Sequence, residues 1–428
     1  MPLPPNVRRF LAFRVFFNAR FYYPVLAILF VDLGLTLDQY ALLNVAWAAS
    51  IIVFELPLGA LADRVGRRPL VVGAGALMVV EMAVLAFAPT GNPTLLFLVF
   101  LVNRILSGAA EAAASGADEA LAYDTLVAEG RTMEWPNVLG HLHRLMAAAM
   151  ISSMTLGAAV YDPEFMSAVT GTNLDQLTTA RFPVYLTLAL SLGALVAAWR
   201  MREPEVSEEP ATRPSLREGW ASVLAAGRWI RATPFALAII GFWLAIDSIV
   251  RLFLTLTSSY FRMISIPEGL FGVLGAVFSA LGFFSPSLAK ALLRRGSPLA
   301  GFGAVAGFVL VGLVGVAVAG SWVGVAFVAV LGVGWHLLSF FGSHFLNEVT
   351  ESRRRATVLS FKSLAGNLAY GGAGVVYALA FRFLGRGVRT ANVEESVLGQ
   401  TLFWFPVVLV LLLAPLFVWA RRIPRMRG

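Results

Sequence analysis

Apolar runs of about twenty residues, separated by short breaks rich in Gly, Pro and Arg, recur along the whole 428-residue chain. Each run is long enough to cross about 30 Å of hydrocarbon as an α-helix. The pattern predicts spans at 10–33, 38–61, 69–89, 94–122, 136–160, 182–200, 234–259, 268–293, 298–319, 322–346, 357–384 and 398–420. Gly91-Asn92-Pro93 and Ile266-Pro267 mark two of the breaks. The fold class is therefore an all-α integral membrane protein of twelve transmembrane helices, with both ends on one side.

One break is longer than the rest. Residues 201–233 carry Glu203, Glu205, Glu208, Glu209 and three prolines, then an amphipathic stretch from Ser215 to Ile230. It divides the chain into a six-helix half at 1–200, a linker at 201–233, and a second six-helix half at 234–428. Trp220 and Trp229 would let a helix at 216–230 lie at headgroup level. A plain tether is the simpler reading. A faint repeat relates the halves: Pro57 to Leu70 and Pro286 to Leu299 both begin with Pro, end in Pro-Leu and hold basic residues between. Together with the helix count, it supports an internal duplication, as secondary transporters often have.

Composition excludes a soluble chain: 58% of residues are hydrophobic and 14% charged, where soluble domains carry about 25% charged. The net charge of +8 lies in alternate connections, at Arg8 and Arg9, at 64–68, 200–231, 290–295, 353–355 and 421–427. That alternation places both termini in the cytoplasm by the positive-inside rule. It reports topology and not a nucleic-acid footprint. Cysteine is absent, which removes disulfide and thiol–metal chemistry. The first apolar run contains Arg14, Asn18 and Arg20 with no small-residue cleavage site after it, so it reads as a retained helix.

Between the second and third spans stands Gly59-Ala-Leu-Ala-Asp63-Arg64-Val-Gly66-Arg67-Arg68, and the fourth carries Arg104-Ile-Leu-Ser-Gly108-Ala-Ala-Glu111. The first resembles the signature loop of the major facilitator superfamily, in the place where that family has it. The second resembles the family's Arg-x-x-x-Gly motif, often linked to proton coupling. The resemblance extends over the whole chain, although its specific residues lie in 57–70 and 104–124. It implies two six-helix pseudo-repeat halves, alternating access, and a loop in which Asp63 and its arginines lock the cytoplasmic side. Asp118 and Asp124 are the expected partners of Arg67 or Arg68.

The polar groups within the apolar runs are the remaining candidates. At helical periodicity Arg104, Gly108, Glu111, Ser115 and Asp118 share one face. A charge at mid-bilayer costs at least about 2.5 kcal/mol, so such a stripe must face protein or a watery cavity. Arg20, beside Asn18 and Tyr23, would face Glu111 or Asp118, with Glu55 as another partner; Glu81 reads as peripheral and Arg14 as a solvated anchor. Asp247 and Arg251, four apart, pair on one face of the seventh span. Trp243, His336 and Asn367 complete the cavity candidates, and Glu111, Arg104, Asp247 and Arg251 the proton-coupling candidates. An inert structural ion pair is the alternative for each.

The fifth span lacks the Gly-Pro pair of the superfamily's drug–proton antiporters, reading Ser152-Ser-Met-Thr-Leu-Gly157 instead. No phosphate-binding loop, His-Glu-x-x-His or Gly-x-Ser-x-Gly occurs, which disfavours an ATP-driven pump or a membrane enzyme. The expectation is a proton-coupled secondary transporter of the cell membrane that exports small organic or amphipathic compounds. Uptake of a sugar or metabolite is the alternative. Its partners would be the lipid bilayer, protons and the substrate, with no cofactor, metal or nucleic acid, and one copy is expected to suffice.

Overall fold

The computed structural model describes residues 2–204, 216–282, 284–386 and 392–427; at 56, 60, 63, 64, 216–219, 295, 352, 353, 355 and 356 it describes only the backbone. Among the described residues there are twelve helical spans long and apolar enough to cross a membrane, and no strand. They run Pro5–Asp32, Leu37–Gly59, Arg67–Ala86, Pro93–Ala128, Thr132–Tyr161, Gln176–Trp199, Pro234–Thr255, Glu268–Arg294, Pro298–Val318, Ser321–Val349, Thr357–Gly385 and Val393–Ala420. All twelve predicted spans fall on these segments.

Several spans predicted as continuous helices are broken. The first is helical over Pro5–Asn18 and again over Leu26–Asp32, with a 3-10 turn at Tyr23–Val25. Pro24 cannot donate to the ladder there, which ends the first helix early. The fourth consists of Pro93–Ala114 and Ala117–Ala128, parted at Ser115 and Gly116. Gly116 takes φ +73°, a left-handed value that needs glycine. The break turns Asp118 off the stripe expected to carry Arg104 and Glu111.

The chain forms two compact units. The first comprises Met1–Leu35, Ala46–Gly219 and Glu268–Ala276. Its fifth span lays Gly157 on the backbone carbonyl of Phe21 in the first-span break, where a Cβ would overlap that oxygen. The 268–276 stretch joins this unit because Gly269 N–H donates to Asp162 (3.1 Å) and Gly272 lies against the Met154 carbonyl.

The second unit comprises Thr36–Val45, Trp220–Pro267 and Val277–Gly428. The Tyr40 hydroxyl donates to the Thr255 carbonyl (3.0 Å) and Arg382 pairs with Asp38, which fastens 36–45 to it. Its core is aromatic: Phe242, Phe302, Phe341 and Phe345 pack ring on ring. The linker helix is Leu216–Ala232. Val223, Ala226 and Ile230, spaced as one helical face, are buried, while Trp220 stays exposed. Gly227 sits against Phe361. That face therefore packs on protein, and only the opposite one is free for an interface.

Candidate functional site

Among the described residues, two polar clusters lie within the membrane-spanning parts, one in each unit. In the first unit, the break after Asn18 presents Arg20 sideways into the bundle. Arg20 Nη1 is 2.6 Å from Glu81 Oε1 and 2.8 Å from the Tyr22 hydroxyl. Both charged residues are buried, at 3% and 0% exposure. Asn103 donates to the Glu81 backbone carbonyl (2.8 Å), tying the fourth span to the third. Arg104, one residue on, is also buried; its guanidinium lies 4.9 Å from the Phe30 ring centre.

This arrangement corrects three expectations. Arg20 faces neither Glu111 nor Asp118; it pairs with Glu81, which the sequence placed at the periphery. Arg14 is no simple anchor, because its Nε is 3.3 Å from Asp118. Asp118 is consequently taken and does not serve Arg67 or Arg68. The signal that would have found Glu81 is physical: a carboxylate inside an apolar span needs a cation of its own.

Glu111 and Ser115 are exposed, and Glu55 is half-buried with one carboxylate oxygen sealed and unpartnered. Asn18 spends its amide on the Arg14 carbonyl (2.8 Å), and Tyr23 is 41% exposed against the edge of Tyr22. Gly108 has a packing role: a Cβ there would come within 2.6 Å of Ser50 Cβ and 2.8 Å of the Trp47 carbonyl. Gly108→Ala is expected to wedge the second and fourth spans apart at a cost of about 1–3 kcal/mol, read as a lower Tm of the purified protein.

At one end of the first unit lies the signature loop. Arg67 pairs with Asp124. The side chains of Asp63 and Arg64 lie outside the described residues. Gly66, at φ +92°, turns the chain so that the third span begins at Arg67. Its first amides are capped by Glu203 from the linker: Arg67 N–H to Oε1 at 3.0 Å and Arg68 N–H to Oε2 at 2.8 Å. A carboxylate here satisfies orphan donors and meets the positive helix end. Arg68 answers by donating to the carbonyls of Met201 (2.6 Å) and Trp199 (3.0 Å). Asn6 holds the same segment, donating to the Arg202 carbonyl (2.8 Å) and accepting from its N–H (2.9 Å).

Nothing local links Glu203 to residue 67, so its role as a cap follows from the fold alone. Glu203→Ala is expected to cost about 1 kcal/mol, the usual worth of an N-cap, and to speed hydrogen exchange at the Arg67 and Arg68 amides.

In the second unit Asp247 is 3% exposed. One carboxylate oxygen pairs with Arg251, and the other accepts from the Trp335 indole at 3.2 Å. Arg251 also donates to Asn367 Oδ1 (3.0 Å) and lies over the Tyr370 ring at 5.2 Å. Lys362 stands over the Trp243 ring at 4.3 Å. The cluster thus joins the seventh, tenth and eleventh spans, and it gathers Asp247, Arg251, Trp243 and Asn367 from the predicted set. His336 touches Gly282 and the adjacent Trp335 ring, outside the hydrogen-bonded network. No group of three or more His, Asp or Glu that could hold a metal ion occurs among the described residues.

A family model described as Major Facilitator Superfamily matches residues 10–374. The search of curated proteins gives no match. Among solved structures, the chain is similar to a bacterial homolog of the human lysosomal transporter Spinster, inward-facing and unoccupied. The TM-score is 0.72 at 12% identity, covering 100% of this chain and 99% of that one. The nucleoside transporter NupG gives 0.71 at 13%, covering 96% and 98%. The POT family transporter PepTSo gives 0.67 at 13%, covering 99% of each. At these identities the likeness carries the fold.

Proposed function

Since this chain belongs to the major facilitator superfamily and is a secondary transporter working by alternating access, we propose that its transport is proton-coupled through Asp247. The observation that carries this reading is the Asp247–Arg251–Asn367–Trp335 network inside a membrane-spanning bundle. Asp247 is a titratable group held by a cation that has a second partner. Protonating Asp247 would release Arg251 towards Asn367, and a change of that kind biases one state of a two-state protein over another. In the first unit, the Arg67–Asp124 pair and the Glu203 cap would form a cytoplasmic latch that breaks and reforms during the cycle.

The Arg alternation supports cytoplasmic termini, and the membrane of this reading is the cell membrane. The cargo is a small organic compound. Export is the first reading, and uptake is the second, favoured by the missing Gly-Pro pair in the fifth span.

The test begins with thermal-shift screening of the purified protein against drugs, sugars, amino acids and lipids at pH 6 and pH 8. A ligand at about 100 times its Kd adds about 2.7 kcal/mol, which is readily seen. The hit is then followed into proteoliposomes under a pH gradient of either sign. Accumulation in one sign only supports coupling and fixes direction. Accumulation to equilibrium alone, indifferent to the gradient, would remove the coupling reading.

A further inference from the structure

We infer that the end of the sixth span, within the first unit, is a binding site for the headgroup of an anionic phospholipid. The inference starts from a hollow of about 660 Å³ lined by Arg9, Arg68, Arg200 and Arg202, together with Trp199.

The hollow is built on a fixed backbone. Arg68 donates to the carbonyls of Trp199 (3.0 Å) and Met201 (2.6 Å), and Asn6 makes two bonds with the Arg202 backbone. Glu203, the one carboxylate in the lining, is engaged by the Arg67 and Arg68 amides. Arg9, Arg200 and Arg202 make no ion pair among the described residues. Four guanidiniums thus stand against one carboxylate in a single concavity. Such a site draws an anion, and guanidiniums offer phosphate oxygens paired N–H donors. Glu205, Glu208 and Glu209 follow in the chain and lie outside the described residues; they are the competing anions that the test must answer.

The sixth span says which anion fits. Ala189, Leu192, Val196 and Trp199, three, four and three residues apart, are all exposed, Trp199 at 65%. An exposed apolar stripe on a membrane-spanning helix faces hydrocarbon. This stripe ends at the hollow, on a Trp ring suited to headgroup level. A phospholipid supplies apolar chains for the stripe and a phosphate for the arginines, whereas a free phosphate would leave the stripe unused. Basic hollows beside membrane spans recognise anionic lipid headgroups in this way.

The test titrates the purified full-length protein, in neutral detergent micelles, with dioleoyl phosphatidylglycerol or dioleoyl phosphatidylcholine. The two lipids share their acyl chains and differ in net charge. Phosphatidylglycerol should raise the Tm at concentrations where phosphatidylcholine does not. Inorganic phosphate and glycerol 3-phosphate at matched ionic strength form the free-anion arm, and they should not reproduce the shift. In Arg200→Gln/Arg202→Gln the apparent affinity for phosphatidylglycerol should fall by about thirtyfold, the equivalent of about 2 kcal/mol for two arginines near the membrane surface. Arg200→Lys/Arg202→Lys keeps the charge without the planar fork and should recover part of it. Arg421→Gln/Arg422→Gln, which removes the same charge beyond the twelfth span, should keep the wild-type affinity.

The ligand-free Tm separates binding from structure. Neither Arg200 nor Arg202 pairs through its side chain among the described residues, so the ligand-free Tm of their Gln variant should hold. A fall of several degrees would make the two arginines structural and overturn the proposal. So would a wild type indifferent to phosphatidylglycerol over phosphatidylcholine, the result expected if the linker carboxylates fill the hollow. An equal loss in the Arg421→Gln/Arg422→Gln control would reduce the effect to general charge attraction, and a shift reproduced by the free anions would replace the lipid with a soluble phosphate; either overturns it.

Discussion

Arg20→Met and Glu81→Met should each lower the stability of this protein by about 3–5 kcal/mol, the usual cost of stranding one partner of a buried ion pair. The two residues are 3% and 0% exposed and 2.6 Å apart, so neither can turn to water when the other is lost. Tyr22 and Asn103 would remain as neutral neighbours, and Arg104, buried beside them, makes no ion pair with Glu81. The double variant Arg20→Met/Glu81→Met should recover most of the loss, since an apolar pair in the same space removes both desolvation costs at once. Folded yield and Tm across the four proteins measure this. Equal instability in the double and single variants would mean that the pair is needed for assembly of the bundle and not merely for its charge balance.

Asp247→Asn should abolish gradient-driven accumulation while leaving exchange of substrate across the membrane largely intact. Asn keeps the shape, can still accept from Trp335 and leaves Arg251 its contact with Asn367, yet it cannot take up a proton. Accumulation under a pH gradient should fall by about tenfold or more, because a difference of about 1.4 kcal/mol between protonation states already corresponds to that factor. The remaining exchange should lose its dependence on pH. Asp247→Glu, which keeps the titratable group, should restore some coupling. Wild-type accumulation in Asp247→Asn would take Asp247 out of the coupling role and leave Glu111, exposed on the fourth span, as the next candidate.

Side-chain pairing was the part of the candidate site least legible in advance. Asp247 and Arg251 could be paired on paper because they are one helical turn apart. Arg67 and Asp124 could be offered as partners because both lie at span ends predicted on the same side. Arg20 and Glu81 sit on spans one and three, and nothing in their spacing says that a break after Asn18 turns Arg20 towards the third span. Arg14 and Asp118 were separated for the same reason, since the break at Ser115–Gly116 moves Asp118 out of register with Arg104. Glu203 capping the third span is longer-range still, a contact over 136 positions.

The sequence by itself determined that this chain crosses a membrane twelve times, because a lipid interior requires every backbone bond to close internally, and apolar runs of about twenty residues do so as helices. That constraint is written residue by residue in hydropathy, and the signature loop adds the family. Tertiary structure alone decided which buried charge answers which. A charge must be neutralised by whatever the fold brings within a few ångströms, and that neighbour is set by where helices break and pack, which no local pattern records.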